Sequence, residues 1–499
     1  MGGEGGSALG ALAAAAGELV AVRPDGDALV AGVSYDSRGV QPGDLFFCVP
    51  GARHDGHEFA AEAVAAGAVA LCTQRPVHAG VPEIVVSDVR RAMARIGAAF
   101  FGRPADRLLL VGVTGTNGKT TTAYLVRSIL AAAGHSAGLI GTVETVVAGE
   151  RRPGVRTTPE SLDLHALFAE MVHRGVSAAA LEVTSHALAL GRVEGVRFAC
   201  AAFTNLSQDH LDFHRDMEAY FAAKRSLFVP ERTGVAAVNL DDPYGRRLAA
   251  EVAVPVIGFG AAPEASVRAL EVVSAPSRTR IVARTPVGDL ELSTRLVGGF
   301  NVANCLTACA CALGIGVGPD AIASGIEGLS SVPGRFEAVD RGQPFSVIVD
   351  YAHTPDSLDN VLREARRMAT ARGGRLLCVF GCGGDRDRTK RPLMGAAAAR
   401  LADVVVVTSD NPRSEAPEAI IEEVLAGVLR HRPDGADLVL VDRREAIQRT
   451  VARARPGDVV LIAGRGHETG QEIAGRTIAF DDREVAAAAL DAAGRRVAG

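Results

Sequence analysis

The chain of 499 residues contains no tryptophan, and aromatic residues of all kinds reach only 4%. Alongside 56 glycines and abundant alanine, this reads as a coding bias and carries little structural weight. Other absences exclude more. There is no surplus of positive charge: 53 Lys and Arg face 58 Asp and Glu, a formal net charge of -5. A protein that grips nucleic acid by neutralising phosphates is usually basic, so no nucleic-acid partner is expected. No uncharged apolar run approaches the ~18 residues that a membrane span needs. The N-terminal stretch MGGEGGSALGALAAAAGELV has an apolar centre but no basic flank, with Glu4 ahead of it and Glu18 within it. That predicts a helix rather than a signal peptide. The 8 cysteines (48, 72, 200, 305, 309, 311, 378 and 382) show no paired disulfide spacing and no CxxC. They are expected to be reduced and buried, as in a cytoplasmic protein, and neither Cys305 with Cys309 nor Cys378 with Cys382 has the usual spacing of a zinc site.

What is present is a repeated alternation. Short apolar runs read as buried parallel strands at 108–115, 177–185, 234–240, 346–353, 375–381, 402–410 and 458–464. Helical patterns lie between most of them, which predicts an α/β fold with helices on both faces of parallel sheets. The length allows two to four domains of about 100–200 residues. Breaks near FGRPADR (101–107) and VPGRFEAVDRGQP (332–344) divide it into 1–106, 107–338 and 339–499. Parallel sheets bind ligands beyond the carboxyl ends of their strands. Glycine and polar residues cluster there, as GTNGKTT, EVTSH, DYAHTPD, GCGGDRD, SDNPRSE and AGRGHE.

VGVTGTNGKTTT (111–122) follows an apolar strand and opens a helix. Backbone N–H groups and a helix N-terminus can then face an anion, with a lysine reaching the outer phosphates. Gly115 and Gly118 leave room for phosphate, Lys119 would bind the β- and γ-phosphates, and Thr120 a Mg²⁺ ion. Thr116, Asn117 and Thr121 complete the loop. Position 113, where the commoner G-x4-G-K-[ST] form has glycine, is Val113. The strand AAALEVTSH (178–186) ends on Glu182, placed to hold Mg²⁺. FTNLSQDHLDFH (203–214) and YFAAKRSLF (220–228) carry His210 and Lys224.

The shortened GTNGKT loop, with these segments in this order, resembles the Mur ligase family over about residues 30 to 485. The resemblance implies three domains: an N-terminal α/β domain that binds a UDP-sugar, a central P-loop ATPase-type parallel sheet and a C-terminal Rossmann-like domain. It implies ATP as co-substrate and an acyl phosphate formed on a carboxylate, then attacked by an amine. It further implies Mg²⁺ held by Thr120, Glu182, His210 and Lys224, the last carrying a CO₂-derived carbamate. Lys119, His210 and Lys224 are the implied catalytic residues. Asn301, Arg335, Asp350 and His353 are the implied nucleotide contacts beyond the loop.

Two segments narrow the resemblance to the members that add the third stem-peptide residue. SYDSRGVQPGDLFFCVPGARHDGHEFA (34–60) matches a uridine-nucleotide segment, with Tyr35, Ser37, Ala52, Arg53 and His54. Thr157, Thr158, Thr184 and Arg192 carry over as further contacts to that substrate. Thr184 keeps the hydroxyl of a common Ser, while Leu190 lacks the amide that some relatives supply there. The tetrad Asp410-Asn411-Pro412-Arg413 resembles a diaminopimelate-recognition motif, joined by Arg386, Gly464 and Glu468. A guanidinium can bind the second carboxylate of diaminopimelate bidentately, and lysine lacks that carboxylate. The implied reaction joins diaminopimelate, expected as the meso isomer, to UDP-N-acetylmuramoyl-L-alanyl-D-glutamate in a cytoplasmic, monomeric enzyme of peptidoglycan synthesis and hence of cell division. The competing readings are a lysine-adding or folylpolyglutamate-type ligase, a P-loop NTPase switch and a nonenzymatic nucleotide-binding protein. Arg413 argues against the lysine reading, and residues 34–60 against the folate one.

Overall fold

A computed structural model describes residues 6–17, 19–23, 28–51, 54–275 and 278–497. Ala52 and Arg53 therefore lie outside the described residues. Three large sheets follow one another along the chain, beside two two-stranded ones. The first has five strands in the order Leu19–Arg23, Glu83–Val86, Ala70–Thr73, Asp44–Phe47, Gly32–Ser34. Its last four are mutually parallel, and the first runs against them. The helix Val89–Phe100 covers one face. Asp88 caps it by accepting from the amides of Arg90 and Arg91, and Val89, Ala92, Met93 and Ile96 bury against Leu45, Phe47 and Ile84. The expected N-terminal helix forms as a short element, Leu9–Ala15, with Leu9 and Leu12 in the same core.

The central sheet has eleven strands. Its parallel heart runs Ala137–Ile140, Ala178–Glu182, Leu109–Thr114, Phe198–Phe203, Thr233–Asn239, Val256–Gly260. Alternate residues of each strand face opposite ways. Val111, Val113, Ala178, Ala180, Cys200 and Ala202 meet the helices Lys119–Ala132, Gly299–Gly314 and Pro319–Gly328. Leu110, Ala179, Leu181, Ala201 and Phe203 meet Ser161–His173 and Met217–Arg225. Val267–Ala275 continues this run, pairing in parallel with Val256–Gly260, and antiparallel strands then extend both edges: Glu144–Val147 with Glu150–Pro153 at one, Arg278–Thr285 with Gly288–Thr294 at the other. The sheet is thus parallel only in its middle.

The third sheet orders Glu337–Ala338, Ser346–Asp350, Val459–Ala463, Leu376–Phe380, Val404–Thr408, Leu438–Leu440. All but the first strand are parallel. Helices Pro355–Ala371, Lys390–Leu401 and Pro417–Val428 cover one face. Arg443–Arg453 and Asp482–Val497 cover the other. This is the doubly wound arrangement expected of the C-terminal part. Glu337 and Ala338 pair with Val349 and Ile348, and Phe336 is buried in the C-terminal core. Hydrogen bonding and burial therefore assign residues from Phe336 onward to the C-terminal unit.

One helix crossing is tight enough to test. The helix Pro319–Gly328 reaches the loop-bearing helix through Gly325, where a Cβ would lie 2.4 Å from the Ile129 Cα. The Ser128 hydroxyl donates to the Gly325 carbonyl at 2.6 Å. Gly325→Ala is expected to destabilise the chain by about 1–3 kcal/mol through overpacking, read as a lower midpoint in urea or thermal unfolding.

Candidate active site

Strand register builds the site. Leu109–Thr114 lies between Ala178–Glu182 and Phe198–Phe203, with Val113 opposite Glu182 and Thr114 opposite Phe203. Three strand ends thus converge where the loop 115–118 begins. Gly115 (φ 149°) and Gly118 (φ 84°) adopt conformations that side chains disfavour. A Cβ on Gly115 would meet the Thr204 hydroxyl, and one on Gly118 the Asn304 side-chain oxygen. The loop is laced to the neighbouring strand's exit. The amides of Thr116 and Asn117 donate to the backbone and side-chain oxygens of Asn205, each at 2.9 Å, and the Thr204 hydroxyl donates to the Asn117 carbonyl at 2.6 Å. Sequence reading singled out neither Thr204 nor Asn205.

Lys119 Nζ donates to the Gly115 and Thr116 carbonyls at 3.0 and 2.7 Å. Desolvation pushes its ammonium below the ordinary lysine range, opposed by Glu182 and Asp209. Lys224 Nζ donates to the same Gly115 carbonyl at 2.8 Å and lies 4.7 Å from the Tyr220 ring centre. Lys224 is 1% exposed, and burial, reinforced by Lys119, holds its ammonium well below the usual range. Tyr220 and Thr116 are joined hydroxyl to hydroxyl at 3.2 Å.

Glu182 is 1% exposed. Its carboxylate accepts from the Thr120 hydroxyl at 2.9 Å and from the Thr142 amide and hydroxyl at 2.7 and 3.0 Å. All three donors are neutral. His210 takes a positive φ of 54° and faces Asp209 at 3.4 Å, with the His186 ring 4.8 Å away. Burial lowers the His210 pKa to about 4. Thr120 and Glu182 are therefore in direct contact, whereas His210 and Lys224 bond to other partners. Among the described residues no group of three or more His, Cys, Asp or Glu forms a metal cluster. All eight cysteines are buried and unpaired.

The C-terminal unit and the segment leading into it close over the loop. Arg335 donates to the Thr120 hydroxyl at 3.0 Å, with its guanidinium 4.4 Å from the Tyr351 ring centre. Asn301 accepts from Asn304 at 2.9 Å beneath the loop. Asp356, at the start of Pro355–Ala371, accepts from the Asn117 amide group at 2.9 Å and the Ser207 hydroxyl at 3.0 Å. Glu364 on the same helix accepts from the Gly299 amide at 3.1 Å. Asp350 and His353 are nearby but engaged. The Asp350 carboxylate accepts from the amides of Phe336 and Ala352, each at 2.7 Å, and pins the chain as it enters the third sheet. His353 Nδ1 lies 2.8 Å from the Tyr351 carbonyl.

The expected uridine-nucleotide residues straddle the first two units. The Tyr35 hydroxyl donates to Asp163 at 2.7 Å, Ser37 opens a 3-10 turn and His54 is exposed. The Thr157 hydroxyl lies 3.0 Å from the Thr142 hydroxyl. Thr158 donates to the Glu182 carbonyl at 2.7 Å, and Thr184 caps Ser185–Ala189 through the Ala187 amide. Arg192 donates to the Thr158 carbonyl and pairs with Glu160 at 2.8 Å. Glu160 also draws Arg156 (2.6 Å) and Arg90 (3.5 Å).

The expected amino-acid residues meet at one end of the third sheet. Arg413 (φ 53°) is held by backbone bonds to Glu472 and Ala474, and its guanidinium donates to the Gly384 carbonyl at 2.6 Å. Asn411 donates to Glu468 at 2.7 Å. Gly464 (φ 118°) has no room for a Cβ, which would stand 2.4 Å from Asp410 Oδ2. Gly384 packs on the Pro412 carbonyl. Burial, then Asp410, raises the Glu468 pKa. Arg386 is exposed and donates to the Asp385 carbonyl at 3.1 Å. Arg465, absent from the sequence-based set, is fully buried behind Asn411.

Comparison with known proteins agrees with this architecture. Residues 29–101 match the model described as "Mur ligase family, catalytic domain", 113–312 the "Mur ligase middle domain" and 334–466 the "Mur ligase, glutamate ligase domain". A UDP-N-acetylmuramoyl-L-alanyl-D-glutamate–2,6-diaminopimelate ligase of Streptomyces avermitilis is 50% identical over 493 residues, covering 95% of each chain. The ligase of that name from Geobacillus thermodenitrificans is 48% identical over 476 residues, 94% of this chain and 96% of the relative. A solved structure of a ligase with that name superposes with TM-score 0.66 at 33% identity, covering 93% of this chain and 95% of that one. At 19% identity, MurF ligase from Thermotoga maritima in complex with ADP shares the fold, TM-score 0.63, over 95% of this chain and 100% of the other. Three successive domain matches and half-identical relatives along nearly the whole chain make this protein a member of the Mur ligase family.

Proposed function

We propose that this chain is an ATP-dependent ligase that joins 2,6-diaminopimelate to UDP-N-acetylmuramoyl-L-alanyl-D-glutamate, in peptidoglycan precursor synthesis in the cytoplasm. The observation that carries the reading is near full-length identity of 45–50% to relatives of that name. The Asp410–Arg413 tetrad, gathered beside Glu468, supports the choice of amino acid.

In this reading the loop and the N-terminus of Lys119–Ala132 receive the ATP phosphates. Lys119 exchanges its bonds to the Gly115 and Thr116 carbonyls for phosphate oxygens. The D-glutamate side-chain carboxylate attacks the γ-phosphorus, ADP leaves and an acyl phosphate forms. The diaminopimelate amine then attacks the acyl carbon, the peptide bond forms and phosphate leaves. The protein's part is to position these groups and offset charge. Arg192 and the Thr157, Thr158 and Thr184 hydroxyls orient the UDP-linked substrate, with Tyr35, Ser37 and His54 on the N-terminal side. Asn301, Arg335 and His353 border the nucleotide, while Asp350 acts through the backbone it pins. Arg413 and Arg386 read the distal carboxylate, and Glu468 the distal ammonium.

The hydroxyl of Thr120 and the buried Glu182 carboxylate are hard oxygen ligands suited to Mg²⁺. Glu182 is met only by neutral donors, which favours a bound cation. Thr120, Glu182, His210 and a carbamate on Lys224 would hold the ion, which when bound offsets the phosphate charge. Lys224 suits carbamylation because its depressed pKa favours the neutral amine, the form that adds CO₂.

The test of the reading is phosphate release from ATP with the UDP-linked dipeptide and, in parallel, meso-diaminopimelate, LL-diaminopimelate or lysine. Release with a diaminopimelate isomer and not with lysine is expected; release that ignores the amine would instead mark an NTPase. Arg413→Ala should raise the KM for diaminopimelate at least about tenfold, the loss of roughly 1.4 kcal/mol of binding, and leave the KM for ATP unchanged. Lys224→Ala should abolish ligation, with partial rescue by added short-chain carboxylates; wild-type rates without rescue would exclude a carbamate role.

A further inference from the structure

The diaminopimelate reading leaves open what holds its amino-acid pocket in shape. Asn411 and Glu468 come from different strand ends; Asn411 is buried and Glu468 partly so. Arg465 lies directly behind them and is fully buried. Its Nη1 donates to the Asn411 side-chain oxygen at 2.8 Å and stands 3.7 Å from a Glu468 carboxylate oxygen. Its Nη2 donates to the Gly470 carbonyl at 2.6 Å and the Phe480 carbonyl at 3.3 Å. The guanidinium lies 5.4 Å from the Phe480 ring centre. One rigid group therefore ties the recognition tetrad to the loop 464–468 and the hairpin Gly470–Ile473 with Arg476–Ala479.

Resting on the diaminopimelate reading above, we propose that Arg465 is the positioning residue that preorganises the distal-ammonium end of the amino-acid site. It fixes the Asn411 amide with oxygen inward and nitrogen toward Glu468, and it keeps the Glu468 carboxylate beside the tetrad. An amide is symmetric in shape but not in polarity. With its oxygen satisfied by Arg465 and by the Glu472 amide at 2.9 Å, only its NH₂ can face Glu468. That leaves one Glu468 oxygen to accept from a distal ammonium. Arg465 needs no contact with the substrate for this.

The arrangement also couples to protonation. Glu468 is faced by Arg465, Arg413 and Asp410, with Arg443 and Tyr351 in the same surroundings. Asp410 and burial favour the protonated acid, and the cations favour the carboxylate. Removing the Arg465 charge therefore raises the pKa of Glu468 further. An ammonium is held by the carboxylate, so binding is lost at a higher pH than in the unaltered protein.

The test compares R465K and R465M with wild type in phosphate release, varying diaminopimelate and ATP separately across pH. R465M is expected to raise the KM for diaminopimelate at least about tenfold, leave the KM for ATP within twofold and move the acid limb of kcat/KM upward. R465K keeps the charge but not the fork of donors. It is expected to raise the KM for diaminopimelate while leaving the acid limb in place. A wild-type KM in both variants, or equal rises for both substrates, overturns the proposal. If R465M does not fold, R465K decides alone by the same two readouts. Should wild type itself show no diaminopimelate-dependent release, the functional reading fails first, and that outcome is distinct from an unaffected variant.

Discussion

The site depends on where one strand stops. Leu109–Thr114 is paired on both sides by parallel strands, and the register sets Val113 against Glu182 and Thr114 against Phe203. The strand cannot slip by one residue without turning Val111 and Val113 out of one core and Leu110 out of the other. Hydrophobic burial on two faces thus determines the position of a polar loop that contributes nothing to either core. The Gly115 carbonyl at the end of this strand accepts from two lysines from different helices, Lys119 and Lys224. Burial depresses both ammonium pKa values, with Arg335 adding to the effect at Lys119 and Lys119 adding to it at Lys224.

Much of this was legible in the sequence. Every apolar run read as a parallel strand is one, because continuous burial on two faces leaves a continuous apolar run. Val256–Gly260, Ala137–Ile140 and the meander from Val267 to Thr294 were not among those runs. Ala137–Ile140 is short, Val256–Gly260 carries two glycines in its five residues, and the meander mixes charge into its strands, as in RTRIVART, because one side faces solvent. The loop residues were legible because phosphate binding demands a local pattern. Asn205, Thr142, Asp356 and Arg465 were not. Each acts on a partner far along the chain: 88 residues separate Asn205 from Asn117, and 239 separate Asp356 from it. Asp350 shows the opposite case, a motif residue whose carboxylate is occupied by backbone amides.

Buried charge is concentrated in the C-terminal unit. Arg443 and Asp482 are both fully buried and doubly bonded, at 2.8 and 2.7 Å, and Arg443 also reaches the Ser409 and Ala463 carbonyls. Arg391 is buried against Glu415 and Glu423. Such pairs are poor sources of stability, since desolvation offsets most of their attraction. Their geometry is the gain. Arg443 fixes the ends of the strands that present Ser409 and Ala463, and Arg391 holds the loop that carries Glu415. The Asp410–Arg413 tetrad begins directly after Ser409, so its starting point is set by this buried ion pair.

The hook from Asp356 to Asn117 and Ser207 bears on how such a protein can diverge. The three units look interchangeable, each with its own sheet and core. Yet a residue of the third completes the hydrogen bonding of the loop in the second. A C-terminal domain grafted from a relative of different amino-acid preference would bring its own side chain to position 356, and with it a different tension on the phosphate loop. In the proposed reading, selectivity for the amino acid and handling of the nucleotide are therefore inherited together. Successful recombination would have to carry positions 117 and 356 as one unit.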